Sequence, residues 1–142
     1  MDVALMLLSL CGPGHAALAP LVAREAARYE PHRPAILVAM ARVESTCAPD
    51  AVGGKDGFNV GLLAIRLGTR AARGHGALEL MRPGLNLHLG AAHLARCLLL
   101  CGDLAGALGV YGGHRTCRAG RASGYARRVL RWAEQAEQEV ES

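Results

Sequence analysis

The stretch Pro34–Ser45, PAILVAMARVES, constrains this chain more than any other part of it. It opens on a proline, whose fixed φ suits the first position of a helix, and it has no internal glycine or proline. Only Arg42, Glu44 and Ser45 are polar. A helix this apolar has to be largely buried, so the remainder of the chain must wrap around it. The composition agrees: 51% of residues are hydrophobic and only 4% aromatic, which leaves alanine and leucine to do the packing and favours a helical core. At 142 residues the chain is the size of one ordinary domain, able to bury roughly 68–70% of its unfolded surface.

Glycines and prolines divide the rest. Gly12, Pro13 and Gly14 close a first apolar run, Val3 to Cys11, too short to span a bilayer, which takes about 20 residues. It reads as a short packing helix. Asp2 stands where a secretory signal would carry basic residues, which disfavours the alternative of a degenerate signal cleaved near Gly14, Ala16 and Ala17. The expected organisation is an N-terminal apolar segment over 1–14 and one domain over 15–142.

Leu18, Leu21, Val22, Glu25, Ala26 and Tyr29 then recur at helical spacing, and Pro31 and Pro34 separate that segment from the next. From Thr46 to Asn59 the chain is rich in turn formers, too polar for core and too long for one turn. It is a functional loop or a small β-hairpin at a cleft edge. A short apolar run, Val60 to Leu67, returns the chain to the interior. Three further helices are expected: Gly84 to Cys101, Asp103 to Tyr111 with an aspartate N-cap, and Ala122 to Glu139.

The net charge of +4 is unevenly placed. Arg115, Arg118, Arg121, Arg127, Arg128 and Arg131 precede Glu134, Glu137, Glu139 and Glu141, so the C-terminal region is dipolar in sequence. Nucleic-acid binding would want aromatic stacking beside the arginines, and the few aromatic residues do not supply it. A solvated helix face is the reading of this strip; neither nucleic acid nor a bilayer is an expected partner, and a monomer is expected. Five cysteines leave at least one unpaired within a monomer. They are either small buried residues or partly bridged; the first pairing to examine is Cys101 with Cys117, which would clamp the two ends of the Asp103–Tyr111 helix.

Glu44 carries the functional argument. Positions 37, 40, 41 and 44 lie on one helical stripe, and the other three are Leu37, Met40 and Ala41. The carboxyl group therefore points where the core points, and it sits in the last turn, at the negative end of the helix dipole. Desolvation and dipole both disfavour its charged form. A carboxyl held protonated near neutral pH is what protonation of a leaving sugar oxygen requires. The plainer reading is a residue that ends the helix and turns into water or onto an arginine. Ser45, able to orient the carboxyl, and the glycine-rich stretch after it, with room for a substrate, weigh against that.

Five segments in order resemble one family. AMARVES resembles a helix ending in a catalytic Glu-Ser pair. PDAVGGKDGFNVGLL (Pro49 to Leu63) resembles a loop leading to Gly-Leu-Met-Gln, and RPGLNLHLGAAHLARCL (Arg82 to Leu98) a helix of the form Asp-Pro-x-x-Asn-Ile-x-x-Gly-x-x-Tyr-Leu. DLAGALGVYGG (Asp103 to Gly113) is similar to a helix ending in Ala-Tyr-Asn-Ala-Gly, and SGYARRVL (Ser123 to Leu130) to a final Tyr-x-x-Arg-Val helix. The family is that of the lytic transglycosylases related to goose-type lysozyme, and the likeness runs from about Leu18 to Trp132.

The resemblance implies a mainly α, α+β lysozyme-like domain, with a small loop or hairpin region bordering a substrate cleft. It implies cleavage of peptidoglycan glycan strands between N-acetylmuramic acid and N-acetylglucosamine. Glu44 would act as acid and then base, without a cofactor or metal, leaving a 1,6-anhydromuramoyl end. Ser45 would support Glu44; Gly61, Leu62 and Leu63 would line the cleft floor; Tyr111 and Tyr125 would lie against the carboxyl or the sugar. Such activity implies an extracytoplasmic location. The family's glutamine aligns with Ala64 and its asparagine with Gly112, so Asn59, Arg66 or His114 would have to supply the missing polar contacts.

Three alternatives stay open on sequence. A muramidase hydrolase would need a well-held water or a second carboxylate, Asp56 before Asp50, at roughly 6.5–9.5 Å for an inverting mechanism. A wall-binding domain without activity is suggested by Ala64 and Gly112. A zinc site could draw on His93, Cys97, Cys101 and Cys117, although a face of small buried residues explains that spacing better. His15, His32, His75, His88 and His114 have no ligand spacing among themselves; His114 alone is placed to touch substrate.

Overall fold

Along α3 (Pro34–Ser45) every residue from Ala35 to Ala41 is buried, on all faces rather than one stripe. The computed structural model describes residues 2–29 and 33–141; the Pro31 break and His32 lie outside the described residues. Helices α1 (Val3–Cys11), α2 (Ala19–Arg28) and α8 (Gly124–Glu141) pack around α3. In α8 the residues turned inward are Ala126, Val129, Ala133 and Ala136, at steps of three and four, which brings its backbone close to α3.

The N-terminal run is helical from its Asp2 cap, whose carboxylate accepts from the Leu5 N–H at 3.2 Å. Met6, Leu7 and Leu10 are buried in the common core. Its end is fastened twice: Cys11 is bridged to Cys47, just past α3, and the Arg42 guanidinium donates to the Leu10 carbonyl at 2.7 Å while covering the Trp132 ring. That bridge has no local sequence signal, since its partners are 36 residues apart. The Cys101–Cys117 bridge anticipated from sequence is present, and Cys97 is a buried free thiol.

On the other side α5 (Pro83–Cys101) packs against α2 and α6 (Leu104–Tyr111). By length and composition alone α5 could cross a membrane; its Leu87, Leu89, Ala91 and Leu94 are buried among the other helices. Asp103 caps α6 as expected, accepting from the Gly106 N–H at 2.9 Å, and Arg121 closes over its carboxylate at 2.8 Å. Two short helices, α4 (Ala77–Leu80) and α7 (Cys117–Arg121), are too brief to leave a periodic signal in sequence.

The turn-rich stretch resolves into a three-stranded antiparallel sheet: β1 (Val52–Gly53), β2 (Asn59–Val60) and β3 (Ile65–Arg66), in that order. Val52 pairs with Val60, and Val60 with Ile65. The run Val60 to Leu67 therefore does more than re-enter the core, because it supplies β3 and the second residue of β2. The whole is mainly α with one small sheet, the α+β lysozyme-like arrangement.

Candidate active site

Helix α3 ends at Ser45 because Thr46 and Cys47 both adopt left-handed backbone, with φ of 52° and 63°. Their N–H groups return to the Arg42 and Ala41 carbonyls, satisfying the helix end as the chain reverses. This leaves the Glu44 side chain at the mouth of the helix, half-buried. Burial is the largest influence on its carboxyl and pushes the pKa from the ordinary 4.5 up to about 7, against smaller opposing effects of Tyr125 and Arg128. The Tyr125 hydroxyl is buried and acts on this carboxyl, but falls outside ordinary hydrogen-bond geometry and has no other partner among the described residues.

The floor beside Glu44 is the β2–β3 hairpin, and polar side chains hold it from below. Asn86 of α5 is fully buried. Its Oδ1 accepts from the Leu63 N–H at 2.8 Å, and its Nδ2 donates to the Val60 and Leu80 carbonyls at 2.9 and 2.8 Å. All three of these bonds go to backbone. Gly61 makes this approach possible: with φ of 86°, a Cβ there would lie 2.1 Å from Asn86 Nδ2 and 2.4 Å from the Leu80 carbonyl oxygen. From α6, the Tyr111 hydroxyl donates to the Leu63 carbonyl at 2.7 Å.

Two hollows of about 470 and 410 Å³ meet at Glu44, Asn59 and Ala64, forming one groove with the acid at its middle. Each is within the size range of ligand sites. The first runs past Arg66, Arg70, His93, Tyr111 and Gly112; the second runs along Ser45, Val52, Gly53, Gly54 and Gly61. Among the described residues lining either hollow, Glu44 is the only carboxylate.

Glu44, Asn59, Gly61, Tyr111 and Arg66 thus line the groove, and Tyr125 adjoins it through Glu44. Four of the expected residues or pairs are placed differently. The Ser45 hydroxyl faces the Ala41 and Leu62 carbonyls at 3.0 and 2.9 Å rather than the Glu44 carboxyl, so it ties helix to floor. Leu62 and Leu63 line neither hollow: their side chains are buried in the core, and only their backbone groups serve the floor. His114 is exposed beyond the end of α6 and lines neither hollow, because the chain turns outward through Gly113 at φ 111°. Asp56 and Asp50 are also outside the lining residues. Asp56 is held by Arg66 at 2.6 Å, which keeps its carboxyl below the usual range.

Sequence reasoning missed Asn86, Arg70 and the place of His93. Asn86, Gly90, His93 and Cys97 follow one another by four, three and four positions on α5, a stripe of polar and small residues in an apolar helix. That spacing marked the face toward the floor. His93 lies 5.1 Å from the Tyr111 ring, and burial lowers its pKa. The zinc alternative loses two of its four ligands, since Cys101 and Cys117 are bonded to each other. At Gly112 a Cβ would lie 2.7 Å from the Tyr125 ring, so an asparagine there would displace the tyrosine now beside Glu44.

Compared with protein-family models, the chain matches the transglycosylase SLT domain over residues 21–130. The chain belongs to the SLT transglycosylase family. The match extends from α2 into α8 and includes the groove and every residue named above as lining it. Neither the curated proteins nor the solved structures contain a match to it. Membership places this chain in a lysozyme-like, transglycosylase-type enzyme family whose substrate is cell-wall peptidoglycan.

Proposed function

We propose that this SLT domain cleaves the β-1,4 bond between N-acetylmuramic acid and N-acetylglucosamine as a lytic transglycosylase, with Glu44 as its acid and base. The observation that carries the reading is a lone carboxyl, shifted to about 7, at the middle of a two-sided groove. Near neutrality it is protonated in a large share of molecules and gives its proton to the glycosidic oxygen as the C1–O bond breaks. The substrate's acetamide stabilises the positive charge developing at C1. The resulting carboxylate takes the proton from the muramoyl O6 hydroxyl, whose oxygen closes on C1. The product is a 1,6-anhydro ring, no water is consumed, and Glu44 ends protonated again.

Tyr125 and Arg128 favour the ionised form of Glu44, which supports its second role as base. A hydrolase would need a well-held water or a second carboxylate, and the first candidate for that carboxylate, Asp56, is committed to Arg66. Two disulfides among the described residues support an oxidising, extracytoplasmic setting. Mass spectrometry of fragments released from purified sacculi tests the proposal. Wild type should release anhydro-ended muropeptides, and Glu44→Gln should release at least about 100-fold fewer. Reducing ends would make it a muramidase; sacculus binding with no release by either protein would make it a wall-binding domain.

A further inference from the structure

The two halves of the groove differ in charge. The first hollow carries Arg66, Arg70 and His93, whereas the second has no charged residue apart from the shared Glu44. Within the first hollow the cations are not equal. Arg66 is held at two points by Asp56, at 2.6 and 3.2 Å, and its charge is largely offset. His93 is neutral near pH 7, because burial lowers its pKa. Arg70 opens the short turn Arg70–Ala72 after β3, is exposed, and pairs with no carboxylate among the described residues. Arg128 acts on Glu44 from α8 but lines neither hollow.

A strand of alternating sugars meets this groove with alternating charge. One sugar bears a lactyl group that is anionic, through its own carboxylate when free or through the carboxylates of the peptide that amidates it; the other bears only an acetamide. We propose that Arg70 reads this alternation: the first hollow takes the carboxylate-bearing sugar, and the glycine-lined second hollow takes the uncharged one. Glu44, between them, then faces the bond on one chosen side of each muramoyl unit. The inference rests on the groove being a glycan site, and adds to it which sugar lies in which half.

Binding to the full chain carrying Glu44→Gln tests this without turnover. The probes are glycan oligomers with free lactyl carboxylates and chitooligosaccharides of equal length, titrated calorimetrically at low and high salt. The carboxylate-bearing oligomer should bind more tightly, and Arg70→Gln in the same background should weaken it roughly fivefold while leaving the chitooligosaccharide unchanged. High salt should erase the difference. Amide shifts near Arg70–Ala72 should respond to the carboxylate, and those near Gly53 and Gly54 to both probes equally. Equal weakening of both probes, no weakening of either, or carboxylate-specific shifts at Gly53 would overturn the assignment. Sacculus digestion by wild type separates the two failures. Anhydro ends without Arg70 discrimination sink this inference alone, while discrimination without cleavage sinks the catalytic reading.

Discussion

The two sides of the groove are built by opposite means. The wall, α3, is held by apolar burial on every face and carries its one functional group at its tip. The floor, β2 and β3, consists of two-residue strands that could not stand alone, and Asn86, Ser45 and Tyr111 fix it by reaching its backbone. Packing a wall is non-directional and tolerates small shifts of volume. Pinning a floor is directional, and a lost partner leaves a buried polar group unsatisfied. Fixing Glu44 by its helix, and the floor by side chains from that helix and from α5 and α6, makes the groove a joint product of distant parts of the chain.

The comparison would break if the two sides responded alike to damage. Leu37→Ala, in the fully buried wall, should lose about 4 kcal/mol of stability by cavity formation. It should do so globally, with cleavage per folded molecule nearly intact, as denaturant titration and activity below the transition would reveal. Asn86→Leu should lose about 3 kcal/mol, because one N–H and two carbonyls are stranded. Hydrogen exchange in this variant should speed up at Leu63 and the floor beyond the global loss, and activity should fall with it. Uniform exchange across wall and floor would show that the asparagine is only another core residue.

The smallest effects sharpen the same contrast. Tyr111→Phe and Ser45→Ala each remove one hydroxyl from a floor carbonyl and should cost about 1 kcal/mol. If Ser45→Ala instead moved the pH profile of cleavage strongly, its hydroxyl would be serving Glu44 after all.

The same contrast explains what could be read without coordinates. The wall was legible because its signals are local: a proline start, an unbroken apolar run, and an acid on the stripe of Leu37, Met40 and Ala41. The Asp103 cap and the Cys101–Cys117 bridge belong to the same class, each spanning a few helical turns at most. The floor was legible only as a small loop or hairpin region at a cleft edge; its strands were not, since strands of two residues cannot display an alternation. The bonds that hold it join residues 17, 26 and 48 positions apart. Hence Leu62 and Leu63 were assigned to the cleft on resemblance, whereas their side chains turn into the core and Ala64 takes the floor.

The proton on Glu44 is the centre of the account and can be observed directly. Because its folded pKa is raised, its proton stabilises the folded state below about pH 4.5 and this contribution is lost as pH rises through about 7. Wild type should therefore lose stability relative to Glu44→Gln across that window, and cleavage should decline above it. The decisive measurement is a carbon-13 NMR titration of the Glu44 side-chain carboxyl, assigned by its disappearance in Glu44→Gln. A midpoint near 7 is the predicted result; a midpoint in the ordinary glutamate range, near 4.5, would contradict it.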